Sequence, residues 1–244
     1  MSNFSPNLPF DNVKTVVMST EFKNISKAIG ELGIKIIPTN SIKKFYPFEQ
    51  RHADMQFFHY NSDMAFILKD SVYLKEQLER YIKNVIVIDE IAKREYPKNV
   101  LLNAVSINDK VVCNPKTIST NISQAIEQKR TYVYRVGQGY TKCSTCIVTE
   151  DSIITSDKSI YNTCKNDFDV LLIRPGFIEL PGTSYGFIGG CSFKYNKSIL
   201  MFTGNIENHP DYNNIKDFCR NYNVYTESLV KDKLIDIGSI IPVE

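Results

Sequence analysis

The stretch HADMQFFHYNSDMAFILK, residues 52–69, contains two alternating hydrophobic segments separated by Asn-Ser-Asp. Alternation of apolar and polar residues is typical of half-buried β-strands, and asparagine and aspartate favour the tight turn of a hairpin. The pattern therefore predicts a β-hairpin with a polar entrance at His52, Ala53 and Asp54.

The same pattern recurs along the chain. A polar or glycine-rich approach leads into a strand, a short turn and a second strand in LNAVSINDKVVCN (102–114), CSTCIVTEDSIITSD (143–157) and CSFKYNKSILMFTG (191–204), and IGSIIPVE (237–244) supplies the approach and one strand. One residue at the entrance of each hairpin serves as a marker of the repeat: Asp54, Asn103, Cys143, Cys191 and Ser239. Successive markers are separated by 49, 40, 48 and 48 residues. Such a spacing indicates an internal structural repeat.

A helical segment and a further strand follow each complete hairpin. After the first hairpin, apolar residues recur at helical spacing over 71–82, ahead of the strand-like NVIVID (84–89). The predicted unit is therefore strand, strand, helix, strand. The N-terminal segment offers a strand (13–19), a helix (22–33) and a strand (34–40), which would complete the unit that the C terminus begins.

A ring of five units explains this division of one unit between the two termini, because closure removes an exposed sheet edge. We predict a single α/β domain over residues 1–244: a five-bladed, pseudo-symmetric α/β propeller of strand-strand-helix-strand units. An open α/β sheet with units that merely look alike is the alternative.

Composition narrows the possible partners. The 244 residues are 43% hydrophobic and 23% charged, and the formal charge is +2 with both signs mixed along the chain. The sequence has no basic tract, so we expect no nucleic-acid partner. It has no apolar run of about 18 residues, so we expect no membrane-spanning segment or membrane partner. It shows no secretory signal, so we expect a cytoplasmic location. The segment YRVGQGYTK lacks the spacing of a phosphate-binding loop, and we expect no cofactor.

The five units completed by both termini resemble the pentein fold. This is the five-bladed α/β propeller of the guanidine-modifying enzymes, among them dimethylarginine dimethylaminohydrolase, arginine and agmatine deiminases and amidinotransferases; a non-enzymatic ribosome anti-association factor shares the fold. The resemblance implies a site at the ring axis with a cysteine nucleophile, a histidine and acidic residues that hold a guanidinium. It covers essentially the whole chain and rests on architecture more than on motifs.

The sequence departs from the pattern that the resemblance implies. Gly238 and Ser239 stand where a nucleophilic cysteine is expected in the last unit, and the third unit has no histidine. Asp54 matches an expected acid, whereas the glutamate expected in the second unit is missing and Asn99 or Asn103 stands nearby. His52-Ala-Asp54 resembles the histidine-x-aspartate of the deiminases but belongs to another unit. The resemblance therefore indicates a divergent member with a rearranged site.

The residues suggest a cysteine-dependent hydrolase or transferase that acts on a small guanidine, amidine or amine. A cysteine activated by a histidine and a carboxylate is a common nucleophilic arrangement. We expect Cys191 to be the first candidate nucleophile because it follows the glycines of GFIGG, with Cys143 second. His52 is the candidate base, and Asp54 is the candidate partner of a substrate cation.

Several further residues are candidates for substrate binding. Arg51 and Arg135 could hold a substrate carboxylate, since guanidinium groups bind carboxylates in a bidentate manner. Glu179 lies in IRPGFIELPGTSYGFIGG (173–190), a connection that could determine specificity or act as a lid. Asn103 and Ser239 are expected near the axis.

Two other functions are compatible with the pattern. A non-catalytic binding protein could keep the ring and lack the standard catalytic residues. A zinc site could be formed by three cysteines and a histidine, which are the ligand types that zinc prefers: Cys143, Cys146, Cys191 and His52.

Overall fold

Each of the five sheets in the computed structural model has three strands, and the model describes residues 5–244. In every sheet the central strand pairs antiparallel with one neighbour and parallel with the other. The parallel pairing needs a crossover, and a helix supplies it in each unit. The predicted strand-strand-helix-strand unit is thus confirmed.

The elements follow the chain in this order. The chain begins with β1 (Thr15–Met18), α1 (Lys23–Glu31) and β2 (Lys35–Pro38), which belong to the unit that the C terminus completes. The next elements are α2 (Ala53–Gln56), β3 (Phe57–Asn61), β4 (Met64–Ile67), α3 (Lys75–Leu78), β5 (Asn84–Val87), β6 (Val105–Ile107), β7 (Lys110–Cys113), α4 (Thr120–Lys129) and β8 (Tyr132–Arg135). The chain ends with α5 (Thr141–Ser144), β9 (Cys146–Thr149), β10 (Ser152–Thr155), α6 (Lys158–Cys164), β11 (Asp169–Leu172), β12 (Ser192–Asn196), β13 (Ile199–Phe202), α7 (Tyr212–Asn221), β14 (Tyr225–Ser228) and β15 (Ile241–Pro242).

The two ends of the chain share one sheet, as the sequence predicts. Strand β15 pairs antiparallel with β1, and β1 pairs parallel with β2. This sheet is built like the other four, although its first strand is the last in sequence. The termini therefore complete one unit together, and each of the five sheets has three strands.

Two local expectations differ from the structure. The helix expected over 71–82 is instead a 3₁₀ segment, Lys69–Leu74, which is kinked at Ser71, followed by α3. The polar entrance at 52–56 is a helical turn instead of the first residues of a strand. The amide of Asp54 donates to the carbonyl of Gly238 at 3.1 Å, so this entrance is bonded to the neighbouring unit.

Apolar clusters between neighbouring sheets hold the units together. The largest fully buried side chains include Phe45, Phe57, Phe66 and Phe202, in a sequence without tryptophan.

Within residues 5–244, none of the helices combines the length and the apolar character needed to cross a bilayer.

His59 lies inside this packing, although its place beside a turn suggests an exposed side chain. It is 2% exposed, and its Nδ1 is 3.0 Å from the carbonyl oxygen of Pro242 in the sheet formed by the termini. Burial lowers the pKa of His59 to about 4. The folded protein therefore holds this imidazole in its neutral form.

We predict that His59 makes the protein less stable in mild acid. Unfolding exposes an imidazole of ordinary pKa 6.5, which binds a proton between pH 6.5 and about 4. The free energy of unfolding should fall in this window by up to about 1.4 kcal/mol per pH unit from this group. Urea unfolding at pH 7 and pH 5 measures the fall, and His59→Gln should show a smaller one. An equal pH dependence in both proteins would contradict the prediction.

Candidate functional site

The entrances of neighbouring units meet at close range around the ring axis. The carbonyl of Gly190 accepts hydrogen bonds from the amides of Ile237 at 3.2 Å and Ser239 at 3.1 Å. A Cβ atom on Gly189 would lie 2.3 Å from the backbone oxygen of Lys142. Only glycine therefore allows the turn that carries Gly189 to approach the turn that carries Lys142. Short turns, held by backbone contacts between units, thus position the side chains of the site.

Asp54 is the centre of a buried polar cluster. The Cys143 thiol donates to Asp54 Oδ2 at 3.1 Å, and the Ser239 hydroxyl donates to the same oxygen at 2.5 Å. The three side chains are at most 2% exposed. Among the described residues, none forms a hydrogen bond with the buried Asp54 Oδ1. One carboxylate oxygen is therefore available to a ligand.

His52 completes the cluster on one side. Its ring nitrogen, a carboxylate oxygen of Asp54 and the sulfur of Cys143 all lie within 4.8 Å of one another. The ring packs against Gly238, where a Cβ atom would lie 2.1 Å from His52 Cβ. These three residues present nitrogen, oxygen and sulfur at distances that could hold a metal ion or support nucleophilic chemistry.

Asn103 orients the turn that carries Cys143. Its side-chain oxygen accepts from the amide of Lys142 at 2.7 Å, and its side-chain nitrogen donates to the sulfur of Cys143 at 3.3 Å. Asn103 is fully buried. The second unit therefore contributes a positioning amide where the resemblance implies a glutamate.

A carboxyl group does lie close by, but it comes from a different segment. Glu49 is buried and accepts a hydrogen bond from the side-chain nitrogen of Asn99 at 3.1 Å and one from the hydroxyl of Tyr140 at 3.3 Å. Burial raises the pKa of Glu49, and the nearby charge of Asp54 adds to the rise. Glu49 was not predicted from the sequence, because it precedes the first unit and belongs to no repeat.

Lys142 is a second residue of the site that was not predicted from the sequence. It is 6% exposed, and its ammonium nitrogen lies 3.3 Å from the hydroxyl oxygen of Ser239. Burial lowers the pKa of Lys142, and the charge of Asp54 opposes the fall. Its place directly before the unit marker Cys143 is the one signal in the sequence that could have pointed to it.

Asp236, two residues before Gly238, is 1% exposed. Its carboxylate accepts hydrogen bonds from the amides of Gly238 and Phe187, both at 2.9 Å. Burial raises the pKa of Asp236 to about 6, and the two backbone hydrogen bonds limit the rise. This carboxylate joins the last unit to the end of the 173–190 connection.

The ionisable groups of the site all shift toward their neutral forms. Burial raises the pKa of Asp54, and burial together with the charge of Asp54 raises the pKa of Cys143 well above its usual value. Burial lowers the pKa of His52. An additional cation beside Asp54 would reverse the shifts of the carboxyl and the thiol, because opposite charges favour ionisation.

Cys191 does not belong to the group formed by His52, Asp54 and Cys143, although the charges of Asp236 and Lys142 act on its thiol. Its sulfur donates to the carbonyl of Ile188 at 3.4 Å and packs in an apolar cluster that also contains Cys146. Burial raises the pKa of Cys191 well above its usual value. Among residues 5–244, the group of ligand atoms that could hold a metal ion consists of His52, Asp54 and Cys143, and it does not include Cys146 or Cys191 of the expected set.

Three candidates for substrate binding lie outside the cluster. Arg51 donates from its guanidinium to the carbonyl of Thr39 at 3.4 Å, and Arg135 is exposed at the end of β8. The carboxylate of Glu179 pairs with Lys233 at 2.6 Å on the surface. The 173–190 connection contacts the site through the amide of Phe187 instead.

A cleft of about 270 Å³ opens beside the cluster. His52 and Asp236 belong to both the cleft and the cluster, and apolar side chains form most of the remaining wall. The residues that line it are Ser19, Glu21, Phe22, Pro47, Phe48, His52, Leu180, Pro181, Asp236 and Ile237. A small molecule in the cleft would contact His52, whose ring lies within reach of Cys143.

The five units, closed by the two termini around one polar cluster, define a protein with the pentein fold. Similar solved structures include the inosamine-phosphate amidinotransferase of Streptomyces griseus, with 9% identity, a TM-score of 0.62 and coverage of 100% of this chain and 97% of that chain. A citrulline complex of dimethylarginine dimethylaminohydrolase from Pseudomonas aeruginosa, in a cysteine-to-serine mutant, has 9% identity, a TM-score of 0.59 and coverage of 94% and 96%. The agmatine deiminase of C. jejuni has 8% identity, a TM-score of 0.54 and coverage of 93% and 90%. The predicted fold is confirmed.

The chain belongs to DUF6873, a family of unknown function whose model matches residues 16–241. A search of the curated proteins finds no match.

Proposed function

We propose that this protein is a cysteine-dependent hydrolase or transferase that acts on a small guanidine or amidine, with Cys143 as the nucleophile. The observation that carries the proposal is the 3.1 Å contact between the Cys143 thiol and Asp54, beside His52, in a buried cluster. Enzymes with the same fold modify guanidines, which supports the reaction class and leaves the chemistry to be argued from the site.

The charges around Cys143 favour a cationic ligand. Three buried carboxyl groups, those of Glu49, Asp54 and Asp236, accompany one buried amine, that of Lys142. A guanidinium or amidinium in the site would supply a missing positive charge and donate to the free Oδ1 of Asp54. The same cation would lower the pKa of the Cys143 thiol and so produce the reactive thiolate when substrate is bound.

The covalent step follows from this arrangement. The sulfur of Cys143 bonds to the amidino carbon, and the bond from that carbon to the departing nitrogen breaks. The thiol proton passes through Asp54 or His52 to the departing nitrogen, which leaves as an amine. Water then attacks the amidino carbon and releases a urea, a proton and the free thiol; an acceptor amine in place of water yields a new guanidinium and the free thiol.

Cys143 is better placed for this role than Cys191. Cys143 has a carboxylate and a histidine within reach, whereas Cys191 contacts a backbone carbonyl and apolar neighbours. All six cysteines are free in the structure, so the Cys143 thiol is not held in a disulfide. We therefore assign Cys191 to the core of its unit.

Alkylation with two matched reagents tests the proposal. Chloroacetamidine and chloroacetamide have the same shape, but only the amidine is cationic. After each rate is normalised to the rate with glutathione, we expect chloroacetamidine to label Cys143 roughly tenfold faster or more, because Asp54 attracts the cation. Peptide mapping by mass spectrometry identifies the labelled cysteine.

Asp54→Asn is the informative variant for this experiment. It retains the size of the side chain and removes its charge, so the preference for the amidine should disappear. Equal normalised rates for the two reagents in the wild-type protein would contradict the proposal. A native protein in which Cys143 resists both reagents would instead support a non-catalytic binding protein.

The same cluster supports zinc binding as a second candidate function. His52, Asp54 and Cys143 offer three ligand atoms within 4.8 Å of one another, and a fourth position would remain open, as in catalytic zinc sites. The free Oδ1 of Asp54 favours this candidate as well. It predicts about one zinc per chain by elemental analysis, lost in Cys143→Ala. A wild-type protein that takes up no zinc would exclude it.

A further inference from the structure

The cleft beside His52 indicates the chemical character of the rest of the substrate. Its walls are mainly apolar and come from four separate segments, which contribute Phe22, then Pro47 and Phe48, then Leu180 and Pro181, and then Ile237. A small-molecule site is usually a concave, mainly apolar cavity with a few polar groups. The cleft has this character, and a ring nitrogen of His52, one of its polar residues, lies within 4.8 Å of the Cys143 sulfur.

The charge of the cleft has one sign. Its lining includes the carboxyl groups of Glu21 and Asp236, and no lysine or arginine contributes to it among the described residues. The two arginines that the sequence suggested as carboxylate partners do not line it either, since Arg51 bonds to Thr39 and Arg135 is exposed at the end of β8. A carboxylate placed in the cleft would meet like charge, and no lysine or arginine among the described lining residues would compensate it.

We propose that the cleft binds the N-substituent of the substrate, and that this substituent is an apolar chain without a carboxylate. The inference rests on the proposed function, because it assumes that the amidino group binds beside Asp54 and Cys143. His52 belongs to both the cleft and the cluster, so a substituent on the bound amidino group would extend past His52 into the cleft. The substrate class is therefore an alkyl- or aryl-substituted guanidine instead of a guanidino acid.

Protection of Cys143 from chloroacetamidine gives a measure of binding that needs no turnover. Methylguanidine can fill the amidino position alone, butylguanidine adds a chain that reaches the cleft, and 4-guanidinobutanoate adds a similar chain with a carboxylate. We expect butylguanidine to protect at concentrations roughly tenfold or more below those of methylguanidine, because burial of each methylene favours binding. The carboxylate compound should protect at least about tenfold less well than butylguanidine.

Three variants localise the effects to the cleft. Phe48→Ala should weaken protection by butylguanidine and leave protection by methylguanidine unchanged, and Leu180→Ala provides the same test at another wall. Glu21→Gln should reduce the discrimination against 4-guanidinobutanoate. Glu227→Gln is the matched control, because Glu227 lies exposed on β14, and it should leave all three compounds unaffected.

The outcomes distinguish this inference from the proposed function. If methylguanidine and butylguanidine both fail to protect Cys143, the proposed function is wrong and the inference fails with it. If methylguanidine protects as well as butylguanidine, or if 4-guanidinobutanoate protects as well as butylguanidine, the inference alone is overturned. Unchanged discrimination in Glu21→Gln, with an unchanged circular dichroism spectrum, would also overturn the role given to this carboxylate.

Discussion

Cys143→Ala is expected to lower kcat/KM for a guanidine substrate by a factor of about 10³ or more, because it removes the nucleophile itself. The fold should survive, since alanine is smaller than cysteine and Asp54 retains its hydrogen bond with Ser239. Amine release measures the activity, and circular dichroism with thermal unfolding measures the fold. A folded Cys143→Ala protein with wild-type activity would contradict the assignment.

Cys191→Ala is the matched control for this experiment. Both cysteines are buried at the entrance of a unit, but the sulfur of Cys191 packs among apolar side chains. We expect its replacement to lower the free energy of unfolding by about 1 kcal/mol, the order expected for a small core truncation, and to leave kcat/KM within about threefold. The opposite result, an active Cys143→Ala and an inactive Cys191→Ala, would transfer the nucleophile to Cys191.

Gly189→Ala is expected to produce the largest loss of stability. A Cβ atom at this position would lie 2.3 Å, 2.4 Å and 2.7 Å from the backbone oxygens of Lys142, Thr145 and Cys143. Backbone atoms cannot rotate away, so the turn of α5 must move. We expect a decrease of about 3 kcal/mol in the free energy of unfolding, at the upper end of typical overpacking costs, and a loss of activity as Cys143 shifts.

Gly30→Ala provides the comparison for this variant. Gly30 lies inside α1, and a Cβ atom there would have no neighbour within 4 Å. Replacing a helical glycine with alanine in open space should raise the free energy of unfolding by about 0.5–1 kcal/mol. Urea unfolding of both variants gives the two values. A Gly189→Ala protein as stable as Gly30→Ala would show that the two turns are not held in contact.

The sequence was sufficient to predict the architecture because the repeat appears in local chemistry. Alternating strands, Asn- and Asp-containing turns and helical spacing recur with a constant order, and the incomplete unit at the C terminus predicts its partner at the N terminus. Local conformation at the entrances was harder to predict. His52 and Asp54 stand in a short alternating pattern, but the hydrogen bond from Asp54 to Gly238 belongs to a contact between units that no local pattern encodes.

The site was predictable in part for the same reason. The markers Asp54, Asn103, Cys143 and Ser239 occupy equivalent places in the repeat, and the structure brings them within hydrogen-bonding distance of one another. The preference for Cys191 relied on its preceding glycines. Those glycines instead accommodate neighbouring turns, since Gly189 approaches the backbone of Lys142.

Lys142 and Glu49 show the limit of sequence reasoning at this site. Charged residues are almost always solvent-exposed, so a lysine or a glutamate in a polar stretch predicts a surface position. Their burial results from contacts with Ser239 and with Asn99 and Tyr140, which are distant in sequence. Only the assembled ring brings these partners together.

The most direct test of the central claim is peptide mapping of the wild-type protein after brief incubation with butylguanidine and an acid quench. The claim predicts a single modified peptide in which Cys143 carries one amidino group, and the adduct should be absent from the unreacted protein. An adduct on Cys191, or turnover of the guanidine without any adduct on Cys143, would contradict it.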